Sequence, residues 1–312
     1  MARPLRAATR GSPLALWQTR RVAALLTAAG GPGVEEVVVE TTGDRRRDAP
    51  IHLIGGQGAF VKEVQAAVLE GRADFAVHSA KDLPPRCPAG LVLACVPERA
   101  DPRDALVGAG LDDLAAGAQV ATGSVRRRAQ LAWLRPDLTF AGLRGNIDTR
   151  LAAASRHDAV VVAVAALDRL GRRGEVAEVL APAVMLPQVA QGALAVECRS
   201  DDTGVVETLA RLDDPVARAA VDAERGFLDQ LGGSCDLPVG ALASVSGAEL
   251  EIEAMVASLD GRALIRRRAG GPAAQADSVG RELARALAGS GAVGLLTEEA
   301  GASWGGSGGG AR

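Results

Sequence analysis

Lysine occurs only at positions 62 and 81 of this chain, and arginine carries all the other side-chain positive charge apart from histidine. Lys81 stands directly before Asp82 in AVHSAKDLPP, residues 76–85. Such a pair can do two kinds of chemistry: an ammonium holds an anionic ligand, and a carboxylate moves a proton or stabilises a developing cation. Val77 and its apolar neighbours predict a short buried strand, and Pro84 and Pro85 forbid a helix after it. Ser79, Lys81 and Asp82 therefore fall where a strand opens into a loop, the place where open α/β sheets put ligand sites. The same residues also suit an ordinary surface turn, since adjacent side chains project apart and aspartate is a common turn former.

Arginine clusters elsewhere. Residues 121–150 hold six arginines against two aspartates, a local charge of +4 in a chain whose net charge is −3. Ser124 reads as a helix N-cap, which puts Arg126 and Arg127 in a first helical turn, where cations oppose the helix dipole at about 0.3–1 kcal/mol each. Helix starts that tolerate this commonly hold an anion. Asn146 predicts a second such start, with Arg144 before it and Arg150 one turn in. A guanidinium fork suits carboxylates because it makes paired, charge-assisted hydrogen bonds. A solvated basic face is the plainer alternative. Nucleic acid fits poorly, because aromatic residues are not interleaved with the charge.

Three further features carry possible chemistry. Arg10, followed by Ser12, ends the first predicted strand in the same strand-to-helix setting, where a simple capping turn is the alternative. The loop IGGQGAF, 54–60, has three glycines and suits a cover or a flexible turn. Cys235 lies in LGGSCDLPVG, 231–240, where glycines leave a thiol accessible, unlike the apolar run around Cys95. It is a candidate for covalent chemistry or an incidental loop cysteine.

The elements that position these residues alternate strand and helix. Strands are predicted at 5–9, 34–41 and 75–78, with helices from Ser12–Pro13 and over 60–69, the rhythm of a parallel βαβ sheet. The charged, proline-containing segment 97–105 reads as a crossing between domains. The rhythm restarts with strands at 118–122, 138–143 and 159–165 and helices from Ser124 and Asn146. Beyond a helix opening at Asp213, Asp214 and Pro215, the pattern changes to strands joined by a hairpin at Asp260–Gly261, then a helix over 274–288. The expected fold is two α/β lobes around a cleft and a smaller α+β third domain, with a glycine-rich, disordered tail at 301–312.

Composition agrees with this scheme. At 312 residues two or three domains are expected. The net charge argues against a dedicated nucleic-acid protein. Cysteines at 87, 95, 198 and 235 show no metal or redox spacing, so no metal site is expected and reduced cytosolic thiols are. Arginines at 3, 6, 10, 20 and 21 interrupt any signal peptide, and the longest apolar run, 159–167, is too short to span a bilayer. The expected setting is cytoplasmic, with neither membrane nor nucleic acid as a partner.

In order along the chain, ATRGSPLALWQ (8–18), AVHSAKDLP (76–84), ERADPRDA (98–105), ATGSVRRRAQL (121–131), LRGNIDTRL (143–151), QGALAVECR (191–199) and GGSCDLPVG (232–240) resemble the porphobilinogen deaminase family. The resemblance implies two periplasmic-binding-protein-like lobes, residues 1–98 with 187–211 and residues 99–186, plus a third domain at 212–300. It implies condensation of four porphobilinogens to hydroxymethylbilane with release of ammonia, by a monomer. It also implies a dipyrromethane cofactor in thioether linkage to Cys235. Loss of ammonia leaves a cationic azafulvene, for which Asp82 is the matching carboxylate. Cofactor binding falls to Ser79, Lys81, Asp82, Thr122, Ser124, Arg126, Arg127 and Arg144, and substrate binding to Arg10, Ser12, Arg150, Arg169 and Gln191. The sequence departs from the family where lysine is common at Gln57, arginine at Thr42 and glycine at Asp148.

Two rivals follow from the residues themselves. Two lobes around a basic cleft also describe a non-enzymatic anion-binding protein. A cysteine hydrolase would need a histidine base, and only His52, His78 and His157 exist, none in a partner motif.

Overall fold

A computed structural model describes residues 3–45, 60–233 and 237–297. The first unit contains β1 (Leu5–Thr9), α1 (Pro13–Ala28), β2 (Val34–Val38), the short α2 (Thr42–Arg45), α3 (Lys62–Leu69), β3 (Phe75–Ser79) and β4 (Leu91–Cys95). The second contains β5 (Asp104–Gly108), β6 (Gln119–Ala121), α4 (Val125–Leu134), β7 (Thr139–Ala141), α5 (Ile147–Ala152), β8 (Ala159–Ala163), α6 (Val164–Arg169) and β9 (Glu178–Leu180). The chain then returns through β10 (Leu194–Arg199) and α7 (Thr203–Ala210). The last unit has α8 (Pro215–Gln230), β11 (Val239–Ser246), β12 (Glu249–Ala257), β13 (Leu264–Pro272), α9 (Ala276–Gly289) and α10 (Ala292–Thr297).

Both five-stranded sheets follow one plan. The first runs β2-β1-β3-β10-β4 and the second β7-β6-β8-β5-β9. β1 is parallel to β2 and β3, as β6 is to β7 and β8. The fourth strand of each sheet, β10 or β5, is antiparallel to both its neighbours. The parallel βαβ rhythm holds for three strands of each sheet, and the reversed strand makes the sheets mixed. Each reversed strand is the first met after the chain crosses from the other lobe, at 96–103 into β5 and at 181–193 into β10, so it enters from the opposite end.

Apolar side chains cover both faces of each sheet. Phe75 and Val77 point to one side of the first with Leu26 and Val196, while Ala76 packs on the other with Val64 and Val68. The alternation along β3 is the period of two that a pleated strand imposes. The three-stranded antiparallel sheet packs on α8 and α9, and its core extends to Ala80, Leu83 and Val189 of the other units. α8 and α9 cross at glycines: a Cβ on Gly280 would lie 1.9 Å from the Ala223 carbonyl oxygen.

Several boundaries differ from expectation by a few residues. The strand predicted over 159–165 ends at Ala163 because α6 begins at once, with no loop between them. The strand predicted over 34–41 ends at Val38, and Thr42 opens α2.

Candidate functional site

Lys81 and Asp82 lie in a single 3-10 turn, Ala80–Asp82, that continues directly from β3. Buried Ala80 and Leu83 anchor the turn on both sides, so the two polar residues between them are held at the cleft. Consecutive positions project apart, and the pair looks into different recesses. Asp82 lines one of about 70 Å³ together with Arg10, Ser12, Gln18, Phe60, His78 and Ser79. Lys81 lines a smaller one, about 20 Å³, with Ser124, Arg126 and Gln188 on one side and Leu228, Leu237 and Val239 on the other.

In the Asp82 recess the polar groups are preorganised. Ser12 caps α1, its Oγ accepting from the Ala15 amide, and the Ser79 Oγ accepts from Gln18 Nε2 at 2.8 Å. Arg10 makes a two-pronged ion pair with Asp44, at 3.1 and 2.5 Å, and its guanidinium carbon lies 4.3 Å from the Phe60 ring centre. Among the described residues, the Asp82 carboxylate accepts no hydrogen bond.

The Lys81 side is a charge network. Lys81 Nζ donates to Gln191 Oε1 at 3.1 Å, and Gln191 Nε2 donates to Asp104 Oδ1 at 2.8 Å. Asp104, the first residue of β5, also accepts from Arg126 Nη2 at 2.8 Å and Arg127 Nη2 at 2.7 Å. All three are buried. Ser124 caps α4 as the sequence implies, its Oγ accepting from the Arg127 amide, and the Thr122 Oγ1 accepts from the Ser124 amide. The chain itself supplies one anion at this helix start: Asp104 bridges the two arginines. Burial raises the Asp104 pKa, but Arg126 and Arg127 outweigh it and hold the carboxyl well below the usual carboxylate range.

Cations remain in excess. Burial and Arg127 pull the Lys81 ammonium down to about 8, partly offset by Asp82 and Asp104. Burial, with Arg127 again, pulls Arg150 down to about 10, while Asp82 opposes this. Burial lowers Arg169 to about 10 and also lowers Arg144. Among the described residues, Lys81, Arg126, Arg127 and Arg150 share one corner, with Asp82 and Asp104 as counter-charges. An added carboxylate would relieve that repulsion, which fits a ligand rich in carboxylates.

The structure brings Ser79, Lys81, Asp82, Arg10 and Ser12 together at the first lobe, and Thr122, Ser124, Arg126, Arg127 and Arg150 opposite them. Asn146 caps α5 as expected, and Arg150 Nε donates to the Gly145 carbonyl. Arg169 donates to the Gly192 carbonyl at 2.7 Å and lies 5.7 Å from the Trp17 ring centre, between α1 and α6. Cys235 and Gln57 lie outside the described residues. Thr42 donates to Glu63 through both its amide and hydroxyl, and Asp148 accepts from Arg172. The site residue missed in the sequence was Asp104: within DPRDA its charge reads as part of a polar crossing, and only its burial against two arginines separates it from Asp101.

Comparison with known proteins covers nearly the whole chain. The family model for the porphobilinogen deaminase dipyromethane cofactor binding domain matches residues 5–207, and that for the porphobilinogen deaminase C-terminal domain matches 218–289. The chain is 47% identical to "Porphobilinogen deaminase" of Roseiflexus castenholzii over 303 residues, covering 95% of this chain and 99% of that one. It is 49% identical to the protein of that name from Acidothermus cellulolyticus, covering 94% and 91%. Solved structures that align include a methionine-binding lipoprotein described as putative, from Bacillus subtilis, with TM-score 0.40 and 14% identity over 67% of this chain and 90% of that one.

Proposed function

The chain belongs to the porphobilinogen deaminase family, and on that premise we propose that Asp82 serves the reacting centre and Cys235 carries the primer. The enzyme is a transferase, a hydroxymethylbilane synthase: it condenses four porphobilinogen molecules head to tail and releases ammonia. Its cofactor is dipyrromethane, which when bound supplies the free pyrrole carbon from which the chain grows.

The observation that carries the reading is the surplus of cations around Lys81. A dipyrromethane built from two porphobilinogens bears two acetates and two propionates, and Lys81, Arg126, Arg127 and Arg144 are the groups we assign to them. The hydroxyls of Ser79, Thr122 and Ser124 supplement these contacts. Arg10, Ser12, Arg150, Arg169 and Gln191 are assigned to the incoming substrate. Asp82 shares its recess with the uncharged donors Ser12, Gln18 and Ser79 and with Arg10, which is paired to Asp44, so we assign its carboxylate to accept pyrrole N–H groups and to stabilise positive charge as the amine departs. Gln191 already joins Lys81 to Asp104, so its assignment implies that substrate contacts exploit an amide whose orientation is fixed by both neighbours.

We assign residues 1–98 with 187–211 and residues 99–186 to the two lobes, and 212–300 to the third domain. The two chain crossings and the three separate sheets support this division. We further assign the enzyme to the cytoplasm as a monomer; free Cys87, Cys95 and Cys198 support a reducing setting. Among the described residues no helix is long and apolar enough to cross a membrane.

Intact-protein mass spectrometry tests the attachment. The purified enzyme is expected to carry the mass of a dipyrromethane, and Cys235→Ser to lack both the adduct and turnover of porphobilinogen. An unmodified, fully active Cys235→Ser protein would overturn the assignment. A two-lobed binding protein without turnover would instead bind the substrate and release no ammonia.

A further inference from the structure

The loop that follows Asp82 is stiff, with prolines at 84, 85 and 88, and it ends its reach on the third domain. Arg86 Nε and Nη2 make a two-pronged bond to Asp229 Oδ1 and Oδ2, at 2.7 and 3.0 Å. Asp229 lies in the last turn of α8, where the helix dipole disfavours a carboxylate, and its side chain is only 8% exposed. A second guanidinium, Arg281 of α9, meets it at 2.6 Å and is itself held by Asp277. The result is an alternating chain, Arg86–Asp229–Arg281–Asp277, that joins the Asp82 loop of the first lobe to both long helices of the third domain.

The place of this chain of charges is what gives it meaning. Arg86 is four residues beyond Asp82 on a proline-stiffened segment. Asp229 is six residues before Cys235, just ahead of the Gly232–Gly233 turn. The apolar lining of the small recess beside Lys81, with Leu83 and Pro85 facing Leu228, Leu237 and Val239, lies between the same two segments. Such an apolar contact resists separation but is non-directional and fixes register poorly, whereas a bidentate Arg–carboxylate pair fixes both distance and orientation.

We propose that Arg86 and Asp229 form a positioning latch that sets the Asp82 loop against the C-terminal end of α8, the helix that precedes Cys235 in the chain, and that it governs how evenly successive condensations proceed. This rests on the assignment of Asp82 and Cys235 made above. The latch touches no reacting atom. Arg86 is largely solvent-exposed, so salt screens the pair and its strength is that of a surface contact, releasable when the growing chain requires the two segments to shift.

The test compares holoenzymes of wild type, Arg86→Glu, Asp229→Arg and the double exchange Arg86→Glu/Asp229→Arg. Each is first checked for an adduct at Cys235 and for its melting temperature. Intact-mass spectra after limited porphobilinogen then give the populations carrying one to four added units. Each single variant is expected to keep the adduct, to lose roughly two- to five-fold in kcat with KM little changed, and to shift the populations toward one stalled stage. In wild type, raising salt should move the populations the same way. Arg281 also faces position 229, so the exchange is expected to recover part, not all, of the wild-type pattern, and Arg86→Lys to fall between. Wild-type populations and kcat in both single variants, with or without a lower melting temperature, would overturn the latch. Loss of the adduct from wild type itself would instead overturn the Cys235 assignment.

Discussion

At the scale of single residues, Lys81 and Asp82 differ in what surrounds them, although they are neighbours in sequence. Lys81 is hemmed in by burial and by Arg127, which bring its pKa down from 10.5 to about 8. Below pH 8 the folded and unfolded forms both hold the proton and the burial cost is fully felt. Between 8 and 10.5 only the unfolded form retains it, so this group makes folding more favourable as pH rises across that window. Carboxylate binding has the opposite trend, because the ammonium is lost above pH 8. In a Cys235→Ser protein without the adduct, titrating non-covalent affinity for free dipyrromethane should show a fall through about pH 8 that Lys81→Arg abolishes; an identical limb in both proteins would remove Lys81 from the cofactor-binding set. The strand-to-loop position of this pair was legible in AVHSAKDLPP, because prolines and an apolar run are local signals. Its division between two recesses was not, since that depends on Arg10 and Phe60 on one side and on Leu237 and Val239 on the other.

Among elements, α4 is the instructive case. Its N-cap was legible from Ser124, and so was the conflict between its dipole and two arginines in the first turn. The partner that resolves the conflict, Asp104, lies on β5, and β5 neighbours β8 only because the chain enters the second lobe from the opposite end. That long-range pairing leaves no periodic trace. Replacing Asp104 with Asn should leave Arg126 and Arg127 buried without a counter-charge and cost about 3–5 kcal/mol, read from urea unfolding of the second lobe. A loss under 1 kcal/mol would mean that solvent or another carboxylate compensates. The α8–α9 crossing makes a separate prediction. Gly280→Ala would force a methyl onto the Ala223 carbonyl, and a loss of about 1–3 kcal/mol in the third domain is expected from thermal unfolding. Unchanged stability would show that the helices can move apart freely.

For the whole molecule, three sheets meet around residues that none of them owns. Glu224 of α8 accepts two bonds from Arg99 in the first crossing, one from the Ala190 amide in the second and one from the Ala243 amide of β11. One buried carboxylate thereby ties both crossings to the third domain. Glu224→Gln should weaken that junction and raise the rate of proteolytic cutting within 97–104; an unchanged rate would place the restraint elsewhere. The alternation of elements along the sequence foretold two α/β lobes and a different third unit, while this junction, built from single residues far apart in sequence, was invisible until the chain was folded. The central claim is that all this serves a carboxylate at position 82. It is tested most directly by the rate of ammonia release from porphobilinogen by Asp82→Asn enzyme that carries its dipyrromethane. The expected rate is lower than wild type by about 10²–10³-fold, with Asp82→Glu in between. A rate equal to wild type, with the adduct intact, would contradict it.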